Sequence, residues 1–321
     1  MMLEKINKKL TKMMPFITPT GVILGILLSA YLQDFTFLVP WLFAFMTFEG
    51  SLSLNFRSVK NALLHPFPVF LTLGLLQIVM PLYAWGIGHL VFNGDSYTIT
   101  GLILGMVIPT GITSFIWVSI HKGNTALTLA IILIDSLLSP FIVPYSLSIL
   151  VGQKVELDAL GMMSGLFYMI VLPSIAAMVL NQLTKGKVST SWKPRLMPIS
   201  KVFLGCVVAL NGAVIAPYFK EITFKLLLIA LTVLFISICG FFMSFLAARL
   251  LTKDNESIVT VTYTAGMRNI SAGAVLAVSF FPPAVVLPVV VGMLFQQIIS
   301  SFVGTFLEKH FQRHEVEIRS A

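Results

Sequence analysis

Charge is what this chain has least of. Asp, Glu, Lys and Arg make up 11% of its 321 residues, against about 25% in a soluble domain. Hydrophobic residues make up 57%. A soluble core cannot hide that much apolar surface, so the composition excludes a water-soluble globule and makes lipid the solvent. Cysteine is nearly absent as well. Cys206 and Cys239 both lie inside apolar runs, which argues against a disulfide or thiolate metal site and leaves them as packing residues. No zinc-ligand spacing, phosphate-binding loop or hydrolase elbow occurs, and no nucleophile–base set points to an enzyme. The histidines, His65, His89, His121, His310 and His314, fall at the ends of apolar runs or beyond, and they read as interfacial. No cofactor is expected.

What the chain does have is apolar runs, at roughly 16–33, 36–54, 67–92, 98–120, 124–151, 158–183, 198–218, 222–250, 256–281 and 284–307. About 20 apolar residues cross a bilayer, so the chain is expected to be an all-α polytopic membrane protein with ten transmembrane helices. The runs use nearly the whole length and leave no separate soluble domain. The longest polar gap, 184–198, carries Lys185, Lys187, Lys193 and Arg195.

The formal charge of +8 does not indicate nucleic acid, because the basic residues sit in short loops rather than one patch. Residues 1–14 include Lys5, Lys8, Lys9 and Lys12. A signal-peptide lead is the alternative reading, but no convincing small-residue cleavage site follows. With the N-terminus in the cytoplasm, 17 Lys and Arg residues fall on that side. Lys154, Lys220 and Lys225 fall opposite, and Arg268 lies inside a span. The positive-inside rule then predicts a plasma-membrane protein with both termini cytoplasmic.

Ten spans divide into five and five, and an odd number per half forces opposite orientations. Two inverted five-helix repeats are expected, at about 16–151 and 158–307, within one membrane domain covering 1–321. Paired interruptions support this. Span 4 carries Pro109, Thr110, Gly111, Thr113 and Ser114, and span 9 carries Thr264, Gly266, Arg268, Asn269 and Ser271. Matched broken helices mark transporter binding sites, since freed backbone groups must face protein or a cavity. Taken singly, each interruption also reads as a packing kink.

Permanent charge appears deep in the runs at Glu49, Asp135 and Arg268. Each costs about 2.5–3.5 kcal/mol at a helix centre, so a lipid-facing place is improbable. A structural ion pair or an ion- or anion-binding group are the two readings, and Asp135 is the expected partner of Arg268. Glu49 lies nearer a span end. Thr128 and Asp135 are two helical turns apart and share a face. Gln77, Asn211, Gln296 and Gln297 add buried amides, read first as glue between helices.

Three stretches resemble the bile acid:sodium symporter family. They are Gly50-Ser51-Leu52-Ser53-Leu54 with the basic loop after it, Pro109-Thr110-Gly111-Ile112-Thr113-Ser114 followed by Gly123-Asn124 and Thr128, and Gly266-Met267-Arg268-Asn269 followed by Phe281-Pro282. The resemblance implies helices 4 and 9 that break and cross, with panel helices 1, 2, 6 and 7 against core helices 3–5 and 8–10. It implies alternating-access transport of an organic anion, bile-acid-like or another carboxylate or sulfate, usually with sodium. The family's sodium pattern is only partly kept. Ser114 matches, but Phe115 replaces an Asn. Thr128 matches, but Ile132 replaces a hydroxyl. Thr264 stands for a Glu, Arg268 for a Gln, and Gln77 falls one residue late. Sodium at Ser114, Thr128 and Thr264 is therefore possible without being implied.

The resulting expectation is a symporter of a small organic anion driven by sodium or a proton. Thr110, Gly111, Thr113, Ser114, Thr128, Asp135, Thr264, Arg268 and Asn269 would form the site. A non-transporting membrane sensor or scaffold is the alternative.

Overall fold

The computed structural model describes residues 17–54, 66–152, 155, 157–219, 223–252 and 254–320, with side chains through 311. Among them there is helix and no strand. The helices are α1 (Ile17–Leu27), α2 (Ser29–Ser51) and α3 (Pro66–Val91), then α4 (Ser96–Val107), α5 (Thr113–Ile120) and α6 (Thr125–Val151). There follow α7 (Ala159–Leu183), the short α8 (Lys187–Ser191), α9 (Lys193–Ile215) and α10 (Phe224–Leu251). The chain closes with α11 (Asn255–Gly266), α12 (Ile270–Phe280) and α13 (Pro283–Ser320).

Six helices among the described residues are long and apolar enough to cross a membrane: α3, α6, α7, α9, α10 and α13. The pair α1 and α2 makes a seventh if taken as one span, although it bends by 88°. The remaining apolar runs are the interrupted ones, 98–120 and 256–281, which form α4 with α5 and α11 with α12. The orientation count rests partly on Lys5, Lys8, Lys9, Lys12, Arg57, Lys60, Lys154, Lys220 and Lys253, which lie outside the described residues.

Local chemistry accounts for where helices start. Asp95, Asn124, Thr223, Asp254 and Asn269 each accept a backbone N–H from the first turn of α4, α6, α10, α11 and α12, filling donors that have no intrahelical partner. The polar gap at 184–198 is shorter than its composition suggests. Residues 187–191 form α8, and α9 begins at Lys193, with Pro194 in its first turn, where a missing N–H costs nothing. Two helices widen to π geometry, α3 at Leu75–Val79 and α7 at Phe167–Val171. In each, a proline, Pro81 or Pro173, follows within two residues. A proline ring clashes with the carbonyl one turn back, and the wider turn relieves the clash. Gln77 lies in the first of these segments.

The principal core joins α4, α9, α10, α12 and α13 through residues such as Ile103, Leu104, Val207, Ile229, Val275 and Val286. Large side chains such as Leu27, Tyr31, Phe70, Tyr145 and Phe302 point outward, as a lipid-facing surface requires.

Candidate functional site at the crossing of two broken helices

Both interruptions are extended backbone. Ile108 has φ −59° and ψ 141°, and Met267 has φ −102° and ψ 145°. The two breaks meet. The Asn269 N–H donates to the Pro109 carbonyl at 2.8 Å. Gly111 lets the two segments close: a Cβ there would stand 3.2 Å from the Arg268 carbonyl oxygen and 3.3 Å from the Asn269 Cα. The meeting point is buried. Thr110, Ser114, Thr128, Asp135 and Thr264 are 0–1% exposed and Arg268 is 2% exposed. Thr113 and Asn269, beside them, are partly exposed.

Arg268 dominates the electrostatics. Its Nε donates to the Met106 carbonyl at 2.8 Å, and one Nη donates to the carbonyls of Ala265 at 2.6 Å and Met267 at 3.3 Å. Met106 is at the C-terminal end of α4 and Ala265 at that of α11. One guanidinium therefore caps two half-helices whose last carbonyls lack intrahelical partners and carry partial negative charge. Its Nη2 is buried and has no partner. Gln296 grips the Arg268 backbone at both its N–H and its carbonyl, 2.9 Å each.

Asp135 does not pair directly with Arg268. Among the described residues no oxygen–nitrogen contact within 4.0 Å joins them. Instead Asp135 Oδ1 accepts from Gln77 Nε2 at 2.5 Å and Oδ2 from the Thr110 N–H at 2.7 Å. The direct pairing expected from the sequence assumes that only a carboxylate can neutralise Arg268. Helix-end carbonyls do part of that work here. Both charges still belong to one constellation, because the Met106 carbonyl near the end of α4 meets Arg268 and the Thr110 N–H just past that end meets Asp135. Two polar atoms flanking Asp135, Gln77 Oε1 and Thr110 Oγ1, are buried without partners.

The remaining candidates divide. Thr113 opens α5, partly buried beside Gly111. Ser114 donates to the Gly111 carbonyl, Thr128 to that of Asn124, and Thr264 to that of Thr260, at 2.7, 2.9 and 2.7 Å. Each hydroxyl proton is thus spent on its own segment, leaving the oxygens as acceptors. Asn269 caps α12 through its side chain. Gln297 accepts from Trp117 Nε1 at 3.2 Å. Asn211 is fully buried on α9 with neither amide atom partnered. Glu49 makes no hydrogen bond or ion pair with the crossing residues; its neighbouring charges are Lys193 and Lys201 of α9.

Sequence reasoning misses two features. The carbonyls of Met106 and Ala265 have no side-chain signature. His121, read as interfacial, has a side chain only 8% exposed. Its ring lies 6.1 Å from that of Trp117 and 5.6 Å from that of Tyr263, in a triangle of near-parallel rings, in room left by Gly304, whose absent Cβ would meet His121 Nε2. Its Nδ1 lies 3.2 Å from Glu308 Oε1 without hydrogen-bond alignment.

Several apolar spans around two broken helices, with charged and polar groups buried where the breaks meet, are the build of a polytopic membrane transporter rather than of an enzyme. The chain belongs to the Sodium Bile acid symporter family, whose pattern matches residues 40–222. The uncharacterized protein YbaS of Bacillus subtilis (strain 168) is 52% identical over 92% of this chain and 97% of its own length. The uncharacterized sodium-dependent transporter YocS of the same organism is 24% identical over 90% of each. The probable chloroplastic sodium/metabolite cotransporter BASS1 of Arabidopsis thaliana is 27% identical over 93% of this chain and 74% of its own length.

Proposed function

We propose that the chain carries a small organic anion, a carboxylate or sulfate, across the plasma membrane by alternating access, with Arg268 as a fixed cation at the crossing. The carrying observation is the state of that guanidinium. It is buried, bound to the carbonyl ends of two half-helices, and retains a free Nη2. Half-helix C-terminal ends and unwound carbonyls are where transporters of this architecture hold a coupling cation. Here a side chain that stays charged at every relevant pH occupies such a place.

In this reading the chain has ten spans in two inverted repeats, with both termini cytoplasmic. The helices α1, α2, α7 and α9 form a panel, and α3–α6 with α10–α13 form a core. Packing of α2 on α7 and α9, and of α13 on α4, α10 and α12, supports that division. The buried crossing is then one state of the cycle. Rocking of core against panel would expose it to each side in turn.

The coupling cation would be taken up at Asp135. As a proton carrier, Asp135 would keep Thr110 and Gln77 as partners in both states, with the Gln77 amide turned over in one of them. Sodium is the second reading, favoured by the names of YocS and BASS1. The unpartnered Gln77 Oε1 and Thr110 Oγ1 beside the Asp135 carboxylate supply hard oxygens for it. The test is uptake of an organic-anion panel into proteoliposomes, with sodium and pH gradients imposed separately. No uptake of any anion under either gradient overturns the proposal and leaves a non-transporting sensor.

A further inference from the structure

A second polar feature lies away from the crossing, where α3 turns into α4 and α9 leads toward α10. A cavity of about 360 Å³ opens there. Its apolar wall is Leu226 and Ile229 of α10 with Ala284 and Leu287 of α13, and Tyr218 and Lys225 stand at its side. Small-molecule sites have this build, a concave apolar surface with a few placed polar groups, and volumes from about 300 Å³ upward.

Lys225 is the cavity's one cation among the described residues. Its Nζ lies 2.7 Å from Asp95 Oδ2 and its side chain is 57% exposed. An ammonium has three N–H donors, and among the described residues Asp95 is its one charged partner. Asp95 depends less on Lys225 than the reverse. Its carboxylate already accepts from the Thr98 N–H at 3.2 Å and the Thr98 hydroxyl at 2.5 Å. If Lys225 turns toward an incoming anion, Asp95 keeps its place as the cap of α4. Thr98 itself lines the cavity. Met106, whose carbonyl holds Arg268, is eight residues further along α4, about 12 Å away. One helix therefore joins the cavity to the crossing.

We propose that this cavity binds an amphipathic organic anion with a one- or two-ring apolar body. Its carboxylate or sulfonate meets Lys225, and its body lies on Leu226, Ile229 and Leu287 with Tyr218 alongside. The binding stands by itself. Its use as a waiting station for the transported anion rests on the function proposed above.

The test uses the full chain in lipid nanodiscs, with Cys206→Ser and Cys239→Ala as background and Ala284→Cys as the reporter. Modification by neutral methyl methanethiosulfonate is timed with naphthalene-1-sulfonate or its neutral sulfonamide present. The sulfonate is expected to slow modification at least fivefold and the sulfonamide to leave it unchanged. Lys225→Gln should abolish protection, Lys225→Arg should retain it, and Asp95→Asn should lower the concentration needed. An unchanged rate without probe shows that each variant keeps the fold around the reporter. Equal protection by the sulfonamide, no protection by the sulfonate, or protection that survives Lys225→Gln overturns the proposal. Protection that persists in an Arg268→Gln variant unable to transport separates this site from the crossing. Loss of this site with intact uptake sinks it alone.

Discussion

Gln296 holds the backbone of Arg268 with both ends of one amide, its Oε1 accepting from the Arg268 N–H and its Nε2 donating to the Arg268 carbonyl, each at 2.9 Å. The break between α11 and α12 frees these groups from helical bonding. They are buried, and an orphaned buried polar group costs about 1–3 kcal/mol. Gln296→Leu orphans both. It should lower the thermal midpoint of the purified protein by several degrees and reduce uptake with it, while Gln297→Leu on the neighbouring face should do much less. A Gln296→Leu protein that melts with the wild type would show that water or a shifted backbone replaces the clamp.

Arg268 reaches three carbonyls because its donors form a planar fork. Lysine offers one point charge and cannot serve Met106 and Ala265 in the same way. Arg268→Lys should therefore lose at least tenfold in transport rate, although the charge is kept; tenfold corresponds to about 1.4 kcal/mol. The double variant Thr264→Glu, Arg268→Gln restores the family pattern on both sides of Gly266-Met267. Its uptake should become dependent on sodium. Full activity of Arg268→Lys, or indifference of the double variant to sodium, would remove the fixed cation from the mechanism.

The pattern of helices was largely legible in the sequence because lipid makes apolar length a direct signal. The breaks at 109–114 and 264–269 were legible because glycine, proline and hydroxyls interrupt an apolar run at matching places. Two things were not. The partner of Arg268 was sought among acids, whereas Met106, Ala265 and Met267 serve through carbonyls that every residue has. The burial of His121 escaped notice because it depends on Gly304, far along the chain, leaving space for the ring. Lys225 registered only as one charge in a count of sidedness, since its cavity is assembled from three stretches far apart in the sequence.

Sidedness has its own test. In the background without native cysteines, Thr190→Cys at the exposed edge of α8 should react with an impermeant maleimide only from the cytoplasmic side. Asn93→Cys, exposed between α3 and α4, should react only from outside. Labelling of both from one side would refute the ten-span inverted arrangement.

Asp95 predicts a modest acid dependence. Burial alone would raise its carboxyl, but hydrogen bonds from Lys225 and Thr98 outweigh that and hold it below the usual carboxylate range. A carboxylate whose folded value is depressed gives stability above its unfolded value, near pH 3.9, and loses it as pH falls through the folded one. Lys225 is more than half exposed, so solvent screening limits the pair to about 0–1 kcal/mol. Asp95→Asn keeps a capping residue for α4 and removes only the charge. Wild type and variant should differ in thermal midpoint at pH 5, and the difference should shrink only as pH falls below the unfolded value and through the lower folded one. A difference that stays constant throughout the acid range would mean that capping, not charge, is what Asp95 supplies.

Asp135 offers the sharpest separation of the coupling readings. Its two oxygens receive Gln77 Nε2 and the Thr110 N–H, so Asp135→Asn keeps the shape while turning one acceptor into a donor. If Asp135 carries a proton, the variant should lose the response to an imposed pH gradient and keep exchange of anion for anion, because the binding groups around Arg268 are untouched. If Asp135 holds sodium beside Gln77 and Thr110, the same variant should lose sodium stimulation and wild-type uptake should ignore pH. If Asp135 only staples α3, α4 and α6, thermal stability and every flux should fall together, since a buried amide now faces two donors with one acceptor. Measuring melting, exchange and gradient-driven uptake on one preparation tells these outcomes apart. Exchange and gradient coupling that both survive at wild-type levels would remove Asp135 from the transport cycle and leave Arg268 as the crossing's one functional charge.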